Sequence, residues 1–198
     1  VNLVPERPEQ EFPEALNMNR HFILHVGPTN SGKTYQALES LKKADTGVYL
    51  GPLRLLALEV YEKMMDSGIA CTMITGQECI EEKDSRITAS TIEMLDIDKK
   101  YQVAVIDEAQ MVADSDRGHS WTRAILGVRA EEIHICMSPV AEEVVKHLIM
   151  LTGDECEVRR YERKTPLVIA DEPFVFPDEA MDGDAFIVFS KKSVLCLA

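Results

Sequence analysis

The chain has no Cys-x-x-Cys pair, and its cysteines, Cys71, Cys79, Cys136, Cys156 and Cys196, are odd in number. That pattern supports neither a zinc site nor a disulfide framework. Cys71, Cys136 and Cys156 fall in apolar strand-like segments and are expected as buried free thiols, in keeping with a reducing, intracellular setting. The histidines include no His-Glu-x-x-His, and no apolar stretch approaches the roughly 20 residues of a membrane-spanning helix, so no membrane partner is expected. Positive charge is also scarce: 21 Lys and Arg against 34 Asp and Glu leave a net charge of −13. Between Gln77 and Arg117, 11 acidic side chains stand against 5 basic ones. Nucleic-acid binding draws on phosphate neutralisation, so bulk electrostatics points away from it, and any such binding must come from a local channel or from parts outside this chain. An initial Met is absent as well. Residues 1–14 are rich in Pro and Glu with one Arg, which fits neither a signal peptide nor an Arg-rich transit peptide. Residues 1–20 are expected as an acidic linker, and the chain as a piece of a longer protein.

What is present is concentrated in short stretches. Gly27-Pro28-Thr29-Asn30-Ser31-Gly32-Lys33-Thr34 fits G-x-x-x-x-G-K-[ST], with the apolar run Phe22–Val26 before it and the helix-like Tyr35–Leu41 after it. Strand, tight loop and helix is the setting such a phosphate loop requires. The glycines let backbone N–H groups turn inward around phosphate oxygens, and the helix adds the positive end of its dipole. Lys33 is then placed for the β- and γ-phosphates and the Thr34 hydroxyl for Mg²⁺. A glycine-bearing turn that binds nothing would not call for these flanks. Nucleoside triphosphate binding is the expectation.

Val103-Ala104-Val105-Ile106 is a continuous apolar run, as expected of a strand buried on both faces of a parallel sheet. It ends in Asp107-Glu108-Ala109-Gln110, and carboxylates there sit in the crevice where open α/β sheets bind ligands. Asp107 is expected to hold Mg²⁺, directly or through water, and Glu108 to polarise the attacking water as general base. An acid pair after a strand is also an ordinary helix N-terminus; the phosphate loop upstream favours the catalytic assignment.

Alternation of β and α runs along the rest. Strands are expected over 47–50, 70–74, 86–89, 133–137, 156–161, 167–170 and 185–190, and helices over 53–65, 120–128 and 141–151. Pro166, Pro173 and Pro177 with acidic residues between them mark a linker. The expected organisation is a P-loop α/β domain over 21–162, a linker over 163–183, and the first elements of a second domain over 184–198. His25, in the strand before the loop, is expected as a packed core residue.

The stretches "GPTNSGKTYQAL", "GVYLGPLRLLALEVYEK", "TGQE", "STIEM", "YQVAVIDEAQMVADSDRGHSWTRAILGV", "TGDECEVRRYERKTPL" and "FIVFSKKSV" occur in order over residues 22–194. Together they resemble the mitochondrial ATP-dependent RNA helicases of the RNA-degradation machinery, the suppressor-of-var helicases, and their bacterial relatives. The resemblance implies a superfamily-two motor of two RecA-like domains with a mainly parallel sheet, ATP and Mg²⁺ lying in the cleft between them. Gly32, Lys33 and Thr34 resemble motif I, and Asp107 to Gln110 motif II, which adds Gln110 to Lys33, Asp107 and Glu108 as catalytic candidates. Pro52 and Arg54 lie in a stretch resembling motif Ia, and Thr75, Gly76 and Thr91 in the two other backbone-contacting motifs, which implies contact with nucleic acid. Thr-Gly and Ser-Thr are also ordinary turn and cap residues. Ser138-Pro139 stands at motif III without the usual Ser-Ala-Thr, and Phe189-Ser190-Lys191 resembles motif IV.

By the same resemblance the partners are single-stranded or partly duplex RNA, with DNA as a second option, and an exoribonuclease. The setting is mitochondrial for a eukaryotic member and cytoplasmic for a bacterial one. The arginine fingers of the superfamily come from its second domain, and this chain ends before such a motif. Two other classes compete: a thymidine-kinase-like phosphotransferase, which shares the loop and Asp-Glu-Ala-Gln but usually carries a Cys-x-x-Cys lasso, and a non-catalytic ATP-gated nucleic-acid-binding module.

Overall fold

The computed structural model describes residues 7–163, 168–169, 171–172, 174–188 and 190–197, and the chain splits into two compact units, 1–164 and 165–198. In the first unit a one-turn helix α1 (Pro13–Leu16) precedes β1 (His21–Val26), α2 (Lys33–Lys43), β2 (Gly47–Gly51), α3 (Arg54–Asp66), β3 (Cys71–Ile74) and β4 (Cys79–Ile80). There follow β5 (Ile87–Thr91), β6 (Lys100–Ile106), α4 (Gly118–Gly127), β7 (Arg129–Met137), α5 (Glu142–Thr152) and β8 (Glu155–Arg160). The strands form one sheet ordered β4-β3-β5-β2-β6-β7-β1-β8. Every pairing in it is parallel except β3 with β4. This is the expected mainly parallel α/β fold; β4, two residues long, has no apolar run to announce it.

Parallel neighbours need crossover connections, and these carry helices to both faces of the sheet. One core layer joins Trp121, Ile125, Val145 and Ile149 of α4 and α5 to Leu24, Leu50, Ile106 and Ile135. The other joins Leu38, Leu41, Val60 and Met64 of α2 and α3 to Tyr49, Val105 and Cys136. Val105 and Ile106 fall in opposite layers because successive side chains of a strand point to opposite faces. Since the seven parallel strands run one way, the residues that follow them, among them Gly27, Pro52, Thr75, Asp107, Ser138 and Tyr161, leave the sheet at a single edge. That is the edge where open parallel sheets bind ligands.

Two expectations for the first unit are corrected. Residues 8–20 pack on the domain instead of linking to it: Ala15 and Arg20 are buried, and the Phe12 ring lies against Gly127. The Arg20 guanidinium makes two bonds to Asp154, at 2.7 and 3.0 Å, and donates to the carbonyl oxygens of Ile125, Leu126 and Val128 at 3.1–3.2 Å. It thus satisfies the open carbonyl end of α4 and keeps its own buried charge paired. Cys156 is exposed rather than buried, because β8 is an edge strand bonded only to β1. Its charged neighbours Glu155, Glu157, Arg159 and Arg160 suit an edge that must not recruit another strand.

In the second unit, residues 185–188 and Ser190 carry no strand, and Phe186 packs instead with Phe174 and Phe176. A strand needs a partner edge, and the described residues of this unit supply none. Helix α6 (Lys191–Leu197) follows. Val168 and Ile169 are exposed and outside any strand. Residues 1–6, Pro166, Leu167, Ala170, Pro173 and Phe189, on which parts of the linker, strand and motif IV expectations fall, lie outside the described residues.

Candidate active site

The loop between β1 and α2 turns on two left-handed residues, Asn30 (φ 61°) and Gly32 (φ 84°). Gly32 caps α2 in a conformation that strains any side chain. The helix begins at Lys33, so the open N–H groups of its first turn face the loop. Lys33 is buried, with its ammonium folded back onto the Pro28 carbonyl oxygen at 3.1 Å. The Ser31 hydroxyl is buried with no hydrogen-bond partner among the described residues. A buried cation with one neutral acceptor, an unsatisfied hydroxyl and a helix N-terminus together fit the oxygens of a polyphosphate.

Asp107, at the end of β6, meets this loop. Its Oδ1 accepts from Thr34 Oγ1 at 3.2 Å and from the Glu108 amide at 2.9 Å, and its Oδ2 accepts from the Tyr49 phenol at 3.0 Å. Burial, then the Glu108 charge, pushes the Asp107 carboxyl above its ordinary range, and the three donors oppose the shift. Burial, then the Asp107 charge, drives the Tyr49 phenol far upward, so Tyr49 remains a donor. Thr34 Oγ1 and Asp107 Oδ1 are hard oxygen donors of the type Mg²⁺ takes, with the remaining positions left to phosphates and water.

Glu108 stands in the left-handed region at φ 51° and ψ 43°, a placement that costs a non-glycine residue about 1–3 kcal/mol and tends to mark functional sites. Gln110 holds its carboxylate: Nε2 donates to Glu108 Oε2, and Oε1 accepts from the Ser138 amide at 3.2 Å. The end of β7 is thereby tied to the acid. A cavity of about 540 Å³ is lined by the loop, by Asp107 and Glu108, and by Leu38 and Val60 of the flanking helices.

Several site residues were not foreseen. The Tyr49 phenol bonds Asp107 Oδ2, and the Trp121 indole donates to the Asp107 carbonyl oxygen at 3.0 Å. The segment after β8 backs the loop, with the Tyr161 amide on Val26 O at 2.8 Å and Arg163 Nε on Thr29 O at 3.2 Å. His25 is a core residue, as expected, in a polar chain. Its Nδ1 lies 2.7 Å from the Tyr161 hydroxyl, its Nε2 lies 2.7 Å from His134 Nδ1, and His134 Nε2 lies 2.7 Å from Glu132. Burial, then His134, pushes the His25 pKa down to about 4.

A second cavity, of about 310 Å³, opens on the same edge of the sheet and is lined by Arg54, Thr75, Gly76, Thr91 and Glu93. Four of the five candidate nucleic-acid residues therefore share one groove. Pro52 stands beside it, its carbonyl oxygen accepting from Arg117 Nη2 at 2.7 Å. Two of the groove's polar groups are already engaged. Arg54 pairs with Glu78 at 2.5 and 3.1 Å, and the Thr75 hydroxyl bonds the Glu78 backbone at both ends, at 3.1 Å.

Residues 8–161 match the model of the DEXQ-box helicase domain of Suv3. The chain is 44% identical over 196 residues to the Saccharomyces cerevisiae protein named ATP-dependent RNA helicase SUV3, mitochondrial, covering 96% of this chain and 27% of that protein. It is 46% identical over 192 residues to the Caenorhabditis elegans SUV3 homolog, with 95% and 27% covered. The chain thus spans about a quarter of the length of these curated relatives. Among solved structures, the Pyrococcus furiosus Hef helicase domain superposes with a TM-score of 0.51 at 17% identity, over 82% of this chain and 39% of that one, a likeness of fold. With its own Asp-Glu-Ala-Gln at the end of β6 and most of its length matched, the chain belongs to the family of Suv3 DEXQ-box helicase domains.

Proposed function

We propose that this chain is the first motor domain of an ATP-dependent RNA helicase, binding Mg–ATP in the Gly27–Thr34 loop and forming one half of an RNA-gripping surface. The observation that carries it is the convergence of Lys33, Thr34, Asp107 and Glu108 on one cavity, with a separate groove of Arg54, Thr75, Gly76 and Thr91 on the same sheet edge. Lys33 neutralises the β- and γ-phosphates, and the loop amides hold their oxygens. Thr34 and Asp107 hold Mg²⁺, which supplies charge neutralisation at the phosphates when bound. Glu108, fixed by Gln110, orients and deprotonates the attacking water. Pro52, Arg54, Thr75, Gly76 and Thr91 face the RNA backbone, where short hydroxyl-bearing loops are apt phosphate ligands.

Residues 163–183 act as a linker and 184–198 begin a second RecA-like domain, which supplies the arginine fingers. The names of the relatives favour RNA over DNA and a mitochondrial setting. An exoribonuclease is the proposed partner. Family membership disfavours a thymidine-kinase-like enzyme. ATP turnover by the full-length protein, measured without nucleic acid, with single-stranded RNA and with single-stranded DNA, tests the proposal. Stimulation by RNA is expected; turnover indifferent to RNA would overturn it, and phosphorylation of thymidine would replace it with the kinase reading.

A further inference from the structure

We infer that Arg117 and Trp121 are positioning residues that couple the nucleotide site to the RNA groove, an inference that rests on the motor reading above. Trp121 is completely buried, and its indole donates to the carbonyl oxygen of Asp107, the residue whose side chain meets Thr34. Four residues earlier, on the same helical face, the Arg117 guanidinium lies 5.6 Å from the Trp121 ring. That guanidinium also donates to Pro52 O at 2.7 Å and pairs with Glu93 at 2.6 and 2.9 Å. Pro52 begins the turn from β2 into α3, and Glu93 lines the groove just beyond Thr91. One cation therefore grips both groove-side loops and rests on a ring bonded to the backbone of the acid in the nucleotide site.

The sequence around these residues is shaped for that contact. A Cβ on Gly118 would come within 2.4 Å of the Val112 carbonyl oxygen, so only glycine lets α4 start against the turn Ala109–Ala113 that follows the acids. In Arg-Gly-x-x-Trp the arginine clamps the loops, the glycine permits the close approach and the tryptophan anchors to Asp107. A phosphate entering beside Glu93 alters the field on the cation that holds Pro52. Close-packed groups transmit such a shift with little slack, here through the indole to Asp107. In the other direction, linkage requires ATP binding to shift RNA affinity by the factor by which RNA shifts ATP affinity, and the same contacts would carry that shift from Asp107 to the groove.

The test uses the full-length protein with Arg117→Ala, Trp121→Phe and both together. It measures kcat and KM for ATP with and without saturating RNA, the Kd for RNA, and the melting temperature. Arg117 is about one-third exposed, so Arg117→Ala carries the test alone if Trp121→Phe does not fold. In Arg117→Ala the RNA stimulation of kcat should fall at least ~5-fold, the lower end of ordinary coupling factors, while RNA-free kcat and KM stay within about 2-fold. Since the contacts act in series, the double variant should be no worse than the worse single one. Stimulation equal to wild type in Arg117→Ala overturns the coupling role, and so does an equal fall of RNA-free and RNA-saturated kcat, which marks a static brace. A wild-type protein whose turnover ignores RNA overturns the motor reading itself, a separate result.

Discussion

The Thr34 hydroxyl donates to Asp107 Oδ1 at 3.2 Å, joining residues 73 apart in sequence across the gap between α2 and β6. The contact exists because the loop after β1 and the end of β6 leave one sheet at the same edge, with β7 alone between their strands.

Glu108→Gln retains size and hydrogen bonding but removes the proposed base. ATP should bind the full-length variant as before, while turnover falls by about 10²-fold or more, the usual worth of general-base catalysis. Steady-state turnover beside equilibrium nucleotide binding checks both halves, and unchanged turnover would move the base elsewhere.

Gln110→Ala breaks the link from Glu108 to the Ser138 amide. A hydrogen bond to a charged group contributes about 1.5–3 kcal/mol, so turnover should fall roughly 10- to 100-fold. ATP affinity should barely change, since Gln110 does not line the nucleotide cavity. A loss confined to affinity would contradict this role.

Arg54 lines the groove already paired with Glu78, so RNA bound there as proposed would have to compete with that carboxylate. Arg54→Ala should weaken RNA binding and reduce the salt slope by about one unit, as loss of one phosphate contact implies. Glu78→Gln should tighten RNA binding. Fluorescence titrations across a salt series read both effects; weaker binding on removal of Glu78 would show that the pair holds the groove together instead.

His25 is predicted to make the domain acid-sensitive. Its pKa is lowered from 6.5 to about 4, so between those values the unfolded chain takes up a proton that the folded chain refuses. Stability is therefore full above about pH 6.5 and declines as pH falls toward 4. The burial-driven lowering at His134 acts in the same direction. Denaturant midpoints across this range should show a smaller decline in His25→Gln; an identical decline would place the acid sensitivity elsewhere.

The phosphate loop and the Asp-Glu-Ala-Gln stretch were legible because each motif carries its own context of strand before and turn after, and a parallel sheet then brings them to one edge. Tyr49 was not. Its reach to Asp107 depends on the pairing of β2 with β6, which aligns Tyr49 with Val105, and register cannot be read from either strand alone. Arg20 escaped for a similar reason: its partners Asp154 and the end of α4 lie more than 100 residues away, and an arginine in a Pro- and Glu-rich leader gives no sign of burial. The strand expected over 185–190 is absent from 185–188 and Ser190 for the opposite reason. Its apolar pattern is genuine, but a strand forms only against a partner edge.

Calorimetric titration of the wild-type protein and of Lys33→Ala with Mg–ATP tests the proposed triphosphate site most directly, because Lys33 is the buried cation of the loop proposed to neutralise the β- and γ-phosphates. A single site is expected in the wild type and loss of measurable binding in the variant, with an unchanged melting temperature in the absence of nucleotide. Equal affinity in the two proteins would contradict the assignment of the Gly27–Thr34 loop as the triphosphate site.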